Sequence, residues 1–138
     1  MVRPEVIRRR LELLGQYLDI LERYRRYDVE SFCKDPERYG SAERFLQLAI
    51  EATLDIGAHI VADENLGPME QSRDIPRRFR ERGFLEGDLE LRWIRMIGFR
   101  NVLVHDYLEI DRRIVYQVIV NDLKDLAALQ KMFARFLD

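Results

Sequence analysis

Cysteine is nearly missing from this sequence: Cys33 is the only one in 138 residues. That excludes a disulfide framework and a thiolate metal cluster, and leaves Cys33 as an expected small, buried hydrophobe. Long apolar runs are missing too. None approaches the roughly 20 uninterrupted residues of a membrane span, and the opening MVRPEVIRRR lacks the apolar core of a secretory signal. The expectation is a cytoplasmic protein with no membrane partner. Internal repeats and low-complexity linkers are absent. So is any excess of positive charge, since 23 Lys and Arg stand against 25 Asp and Glu for a net charge of −2. A generally basic nucleic-acid coat is thereby disfavoured.

What is present suits a well-patterned globular chain, 47% hydrophobic and 35% charged. A single domain over residues 1–138 can bury about two-thirds of its unfolded surface without a staple. Charge is unevenly spread along it. Residues 1–72 carry 10 basic and 14 acidic side chains, residues 73–100 carry 8 and 5, and residues 101–138 carry 5 and 6. The net-positive block therefore ends at Arg100. Its arginines suit phosphate, although a solvated helix face is the simpler reading.

The segment PEVIRRRLELLGQYLDILERYRRY opens with Pro4, which suits a first helical turn. Ile7, Leu11, Leu14, Leu18 and Leu21 recur at helical spacing, and 24 helical residues span about 36 Å. VESFCKDPERYG reads as a short helix or turn, punctuated by Asp35-Pro36 and Gly40. Ser41 is the expected N-cap of a second long helix, with Phe45, Ala49, Ala52, Ile56 and Ile60 on one face. His59, beside Ile60, is expected to be packed or hydrogen-bonded rather than catalytic. Ala49, Ala52 and Gly57 permit close approach of another helix. GPMEQSRDIP reads as a loop and RRFRERGFL as a short helix closed by Gly83. Leu85, Leu89, Trp93, Met96, Ile97 and Val104 stripe a further helix, with Trp93 in the core.

LVHDYLEI and RIVYQVIV, with Asp111-Arg112 between them, resemble a β-hairpin at first sight. The pairs Ile114-Val115 and Val118-Ile119 instead have helical spacing, and Leu126, Leu129, Phe133 and Phe136 continue their phase. Asp111 is then the N-cap of a helix of roughly 25 residues. The expected fold is all-α, an up-and-down helical bundle with short accessory helices.

One stretch, RNVLVHDY at residues 100–107, concentrates functional side chains at an expected helix end. Asn101 and His105 are four apart and share a face. Arg100 and His105 are five apart, so an ideal helix offsets them by about 140°. They converge on one atom only near a helix end, through a distorted turn, or across an interface between two chains. The residue types suit a phosphodiester. A guanidinium forks onto two phosphate oxygens. An imidazole takes a proton from a ribose 2′-hydroxyl or gives one to a leaving oxygen. That scheme requires no metal or other cofactor. Asn101 is placed to orient His105 or contact ligand, and Tyr107 offers a phenolic hydroxyl. The structural alternative pairs Arg100 with Asp106 or Glu109 and lets His105 cap the helix.

The whole string Arg100, four residues from Asn101 through Val104, then His105-Asp106-Tyr107, resembles the signature of the HEPN superfamily in its HepT toxin-like branch. MIGFRNVLVHDY, LEIDRRIVYQVIVNDL and QLAIEATLDIGAHI carry the similarity across nearly the whole chain. The resemblance implies a HEPN helical bundle that pairs as a homodimer, bringing two motifs into a shared cleft. It implies a metal-independent endoribonuclease toxin acting on RNA, with Arg100 and His105 catalytic and Asn101 and Tyr107 supporting. It further implies a partner, a minimal nucleotidyltransferase antitoxin that adds AMP units to Tyr107. Bulk and negative charge there would repel RNA phosphates. The alternative is a catalytically silent bundle that binds, or is modified by, such a nucleotidyltransferase.

Overall fold

The computed structural model describes residues 3–106 and 108–137. Helix α1 (Pro4–Arg23) begins at Pro4, whose missing N–H costs nothing in a first turn. Its stripe of Ile7, Leu11, Leu14, Leu18 and Leu21 is buried. The α-helix stops at Arg23, and a 3-10 turn over Tyr24–Arg26 carries the chain on. Helix α2 (Val29–Lys34) is capped by Asp28, which accepts the Ser31 amide at 2.7 Å.

Helix α3 (Pro36–Asp63) corrects the expected start at Ser41. Asp35 is the cap, accepting the Glu37 amide at 3.0 Å, and Pro36 takes the first helical position. Gly40 and Ser41 lie inside the helix. Glycine in a helix interior costs only about 1 kcal/mol, which the Asp-Pro start and the packing of a 28-residue helix override. Ser41 is satisfied there, donating to the Glu37 carbonyl and sharing a 2.6 Å hydrogen bond with the Tyr24 hydroxyl.

Helix α4 (Asp74–Glu81) starts three residues before the RRFRERGFL segment, and Gly83 follows it at φ +77°, a conformation glycine adopts without strain. Helix α5 (Gly87–His105) ends on the motif histidine. Asp111 caps helix α6 (Arg112–Ala134), accepting the Arg113 amide at 2.9 Å, and a 3-10 turn over Arg135–Leu137 follows. No strand occurs among the described residues, so the hairpin reading is excluded. Val115, Val118 and Ile119 are buried, whereas Ile114 faces outward at 52% exposure.

The four long helices α1, α3, α5 and α6 form the bundle, with α2 and α4 as accessories. Helix α3 is its hub, packing against α1, α4, α5 and α6. That role explains its composition: it is long and apolar enough to cross a membrane, with a mean hydropathy of 1.4 over 18 residues. The sequence reading found no uninterrupted run of that kind. Its buried side is also wider than the expected stripe, taking in Leu46, Ile50, Thr53 and Val61 while Phe45 and Ala52 are half-buried. A helix with neighbours on several sides buries more than one narrow face. Cys33 is half-buried against this core.

Two aromatic clusters hold the ends. Phe79 of α4, Trp93 of α5 and Phe133 of α6 meet with ring centroids 5.6–5.8 Å apart. Trp93 donates to the Thr53 hydroxyl at 3.0 Å, and Gly57 of α3 makes room for its ring. At the motif end, Phe32 of α2 packs on Tyr116 of α6 at 5.5 Å, and the Tyr116 hydroxyl donates to the Tyr27 carbonyl at 2.6 Å. The small helix α2 thus braces the start of α6, directly after the motif.

Candidate active site

The last two turns of α5 carry Arg100, Asn101 and His105, and α5 remains helical through His105. Arg100 reaches across to α3, where its Nε donates to Glu51 Oε2 at 3.0 Å. Gln47, one turn earlier on α3, donates to the same oxygen at 3.0 Å. Arg100 Nη1 donates to Asn101 Oδ1, also at 3.0 Å. The guanidinium is therefore held by a carboxylate and an amide, and Nη2 makes no hydrogen bond among the described residues. Its partner is Glu51 rather than the Asp106 or Glu109 of the structural alternative.

His105 is exposed, and its side chain makes no hydrogen bond or ion pair among the described residues. It closes the helix, since the Asp106 amide donates back to the Val102 carbonyl at 2.9 Å. No polar contact among the described residues joins Arg100 to His105, and the unbroken helix closes the route through a distorted turn. Tyr107 lies outside the described residues. His59, as expected, is engaged structurally: its Nδ1 meets Arg3 Nη2 at 3.1 Å, and its Nε2 lies 3.7 Å from Asp55.

The turn after His105 is anchored at both ends. Leu103 and Ile110 are buried, while His105, Asp106, Leu108 and Glu109 are exposed between them. Arg112 latches this turn to α3. Its Nη1 donates to the Ile110 carbonyl at 3.1 Å, its Nε pairs with Glu43 at 3.1 Å, and its guanidinium lies 4.5 Å from the Tyr39 ring. Burial raises the Glu43 carboxyl above its ordinary value of 4.5, and Arg112 opposes that rise.

The net-positive block sorts into paired and unpaired arginines. Arg78 pairs with Glu81, Arg80 with Glu90 at 2.8 Å, Arg92 with Asp125 at 3.1 Å, and Arg100 with Glu51. Arg82 donates to the Asn65 carbonyl. The side chains of Arg73, Arg77 and Arg95 are exposed and make no hydrogen bond or ion pair among the described residues. Glu51 and Gln47 escaped the sequence reading. Their four-residue spacing on QLAIEATLDIGAHI was visible, but a partner 49 residues away was not.

Residues 14–132 match the family model described as Ribonuclease HepT-like. The chain belongs to the HepT-like ribonuclease family. It is 30% identical over 118 residues to the tRNA nuclease HepT of Aphanizomenon flos-aquae, covering 86% of this chain and 80% of that one. Over 111 residues it is 33% identical to the mRNA nuclease HepT of Shewanella oneidensis, covering 80% and 78%. Its backbone superposes with a TM-score of 0.86 on a tri-AMPylated Shewanella oneidensis HEPN toxin in complex with an MNT antitoxin, at 26% identity, covering 94% and 97%. This HepT-like chain thus has the HEPN helical bundle that its motif implied.

Proposed function

We propose that this chain, as one HEPN-like domain, is the cytoplasmic toxin of a toxin–antitoxin module and a metal-independent endoribonuclease. The observation that carries the reading is the last two turns of α5. There a carboxylate-steered Arg100 and an exposed, unengaged His105 stand on the helix that also bears Asn101. In this scheme His105 accepts the proton of a ribose 2′-hydroxyl. The 2′-oxygen attacks the adjacent phosphorus to form a 2′,3′-cyclic phosphate, the P–O5′ bond breaks, the 5′-oxygen leaves with a proton taken from water, and Arg100 holds the charge that gathers on the phosphoryl oxygens. Asn101 fixes the guanidinium through Nη1, and Tyr107 contacts the RNA.

A homodimer supplies the missing convergence. One regular helix keeps Arg100 and His105 about 140° apart, so the arginine of one chain serves the histidine of the other. Half-exposed Val102 and Ile114 and 78% exposed Leu108 flank the same turn and give that pairing its apolar contact. The partner antitoxin is a nucleotidyltransferase, as in the toxin–antitoxin relative. It transfers AMP from ATP to the Tyr107 hydroxyl, which attacks the α-phosphorus and releases pyrophosphate. The resulting anion sits two residues from His105 and bars RNA.

The test is cleavage of structured and single-stranded RNA in EDTA by wild type and His105→Ala. Wild type should retain full activity in chelator, and His105→Ala should lose about 10²–10⁴-fold. Equal rates for the two proteins remove His105 from the chemistry, and activity abolished by EDTA removes the metal-free scheme. For the antitoxin arm, intact mass after co-expression with the neighbouring nucleotidyltransferase should rise in AMP steps. Tyr107→Phe should show no rise.

A further inference from the structure

A groove of about 480 Å³ runs along α5 toward the motif. One wall is the segment before α4, with Gln71, Ser72 and Arg73; the other is α5, with Gly98 and Asn101 above the buried Ile97. Gly98, Asn101 and His105 are spaced three and four apart, so they follow one face of the helix. At 1.5 Å per residue the groove's Gly98 lies about 10 Å along the axis from His105, and Asn101 lies about 6 Å from it. Asn101 belongs to both places, since its Oδ1 accepts from Arg100 while its residue lines the groove.

The chemistry of the lining is uniform. Its polar side chains are one guanidinium, two amides and a hydroxyl, and no lining residue is acidic. These are the groups that proteins use to hold phosphate and sugar without reading a base. Arg73 is exposed and makes no ion pair among the described residues, unlike four of the other seven arginines of its block. The wall is also prearranged. Asp74 turns its carboxylate onto the Glu70 and Gln71 amides at 2.9 Å each, so its charge is used within the loop. A Cβ placed on Gly98 meets nothing within 4 Å, so the groove is open at that point.

We infer that this groove is the subsite for the nucleotide next to the scissile linkage, with Arg73 binding its phosphate and Asn101 joining the subsite to the catalytic arginine. The inference rests on the ribonuclease reading above and adds to it where the substrate strand runs.

The experiment measures kinetics on a single-stranded octaribonucleotide and on a dinucleoside monophosphate, whose only phosphate is the scissile one. Arg73→Ala should raise the octamer's KM about five- to tenfold with kcat changed less than twofold, the signature of lost uniform binding. It should also lower the salt slope of log kcat/KM by about 0.7, the value for one single-strand phosphate contact. The dinucleotide should not distinguish Arg73→Ala from wild type. Gly98→Leu, whose Cβ meets nothing within 4 Å, should raise KM for both substrates, because each places a nucleoside in the groove. Arg77→Ala, exposed but outside the groove, is the control and should match wild type. An unchanged octamer KM in both Arg73→Ala and Gly98→Leu overturns the inference while leaving the ribonuclease intact. So does an altered dimer mass in Gly98→Leu alongside a silent Arg73→Ala, which makes the groove a protein contact. If wild type cuts no RNA, the functional reading fails separately. Anisotropy with a 2′-O-methyl octamer then reads the groove directly, and equal affinity of wild type and Arg73→Ala overturns it.

Discussion

Arg100 has two of its three guanidinium nitrogens engaged within the chain, by Glu51 and Asn101. Its remaining N–H donors are thus presented in fixed directions, which a flexible ammonium does not reproduce. Arg100→Lys should therefore lose nearly as much kcat as Arg100→Ala in steady-state RNA cleavage. Near-complete retention by lysine would show that a point charge suffices. In the proposed mechanism Glu51 acts through Arg100 and is a positioning residue. Glu51→Gln keeps the shape but weakens the grip, and misplacement of a catalytic group costs up to about 10²-fold. A loss of about tenfold in kcat with KM little changed is expected, and restoration by Glu51→Asp would argue that the carboxylate's charge matters more than its reach. The sequence displayed Arg100 and His105 but not this aiming device. Glu51 sits amid the apolar residues of a helix, and its role arises only when α3 and α5 pack together.

At the scale of elements, local signals were legible wherever a side chain bonds its own neighbourhood. Asp111 caps α6 as its position suggested, and Pro4 and the leucine stripe of α1 did what their spacing required. Ser41 misled because Gly40 looked like a break, while Asp35 caps the helix six residues earlier, with Pro36 in its first position. Gly57 shows how closely α3 and α5 approach. A Cβ there falls 2.6 Å from Ile75 Cγ2 and 3.2 Å from the Trp93 ring. Gly57→Ala should destabilise by about 1–3 kcal/mol through overpacking, read as a lower urea midpoint; an unchanged midpoint would mean that α4 yields freely. The segment before α4 carries a pH signature. The Gln71 and Glu70 amides hold the Asp74 carboxyl below its ordinary value of 3.8. A depressed folded-state pKa gives stability that is complete above the unfolded value and lost as pH falls through the folded one. Wild type should therefore melt at a higher temperature than Asp74→Asn at pH 7, with the gap closing below pH 3.8. A gap that persists in acid would contradict the assignment.

Across the whole molecule, the near-neutral sum of charges conceals a sorted surface. Most arginines of the 73–100 block are tied to carboxylates or a carbonyl, and three are left unpaired among the described residues. Block counting along the chain located the region but could not separate these groups, because the pairing partners come from other elements. The same limit applied to the motif. Spacing stated the problem, two groups about 140° apart on one helix, and the unbroken α5 keeps them so. A paired assembly is the answer this account gives, and mixing two inactive proteins tests it most directly. Arg100→Ala and His105→Ala, each purified alone, should be inactive on RNA. After exchange of subunits, confirmed by native mass spectrometry, the mixed dimer contains one composite site with an intact arginine from one chain and an intact histidine from the other. Cleavage should return in the mixture. A mixed dimer that forms and stays as inactive as its parents would contradict the claim that the two chains share one catalytic pair.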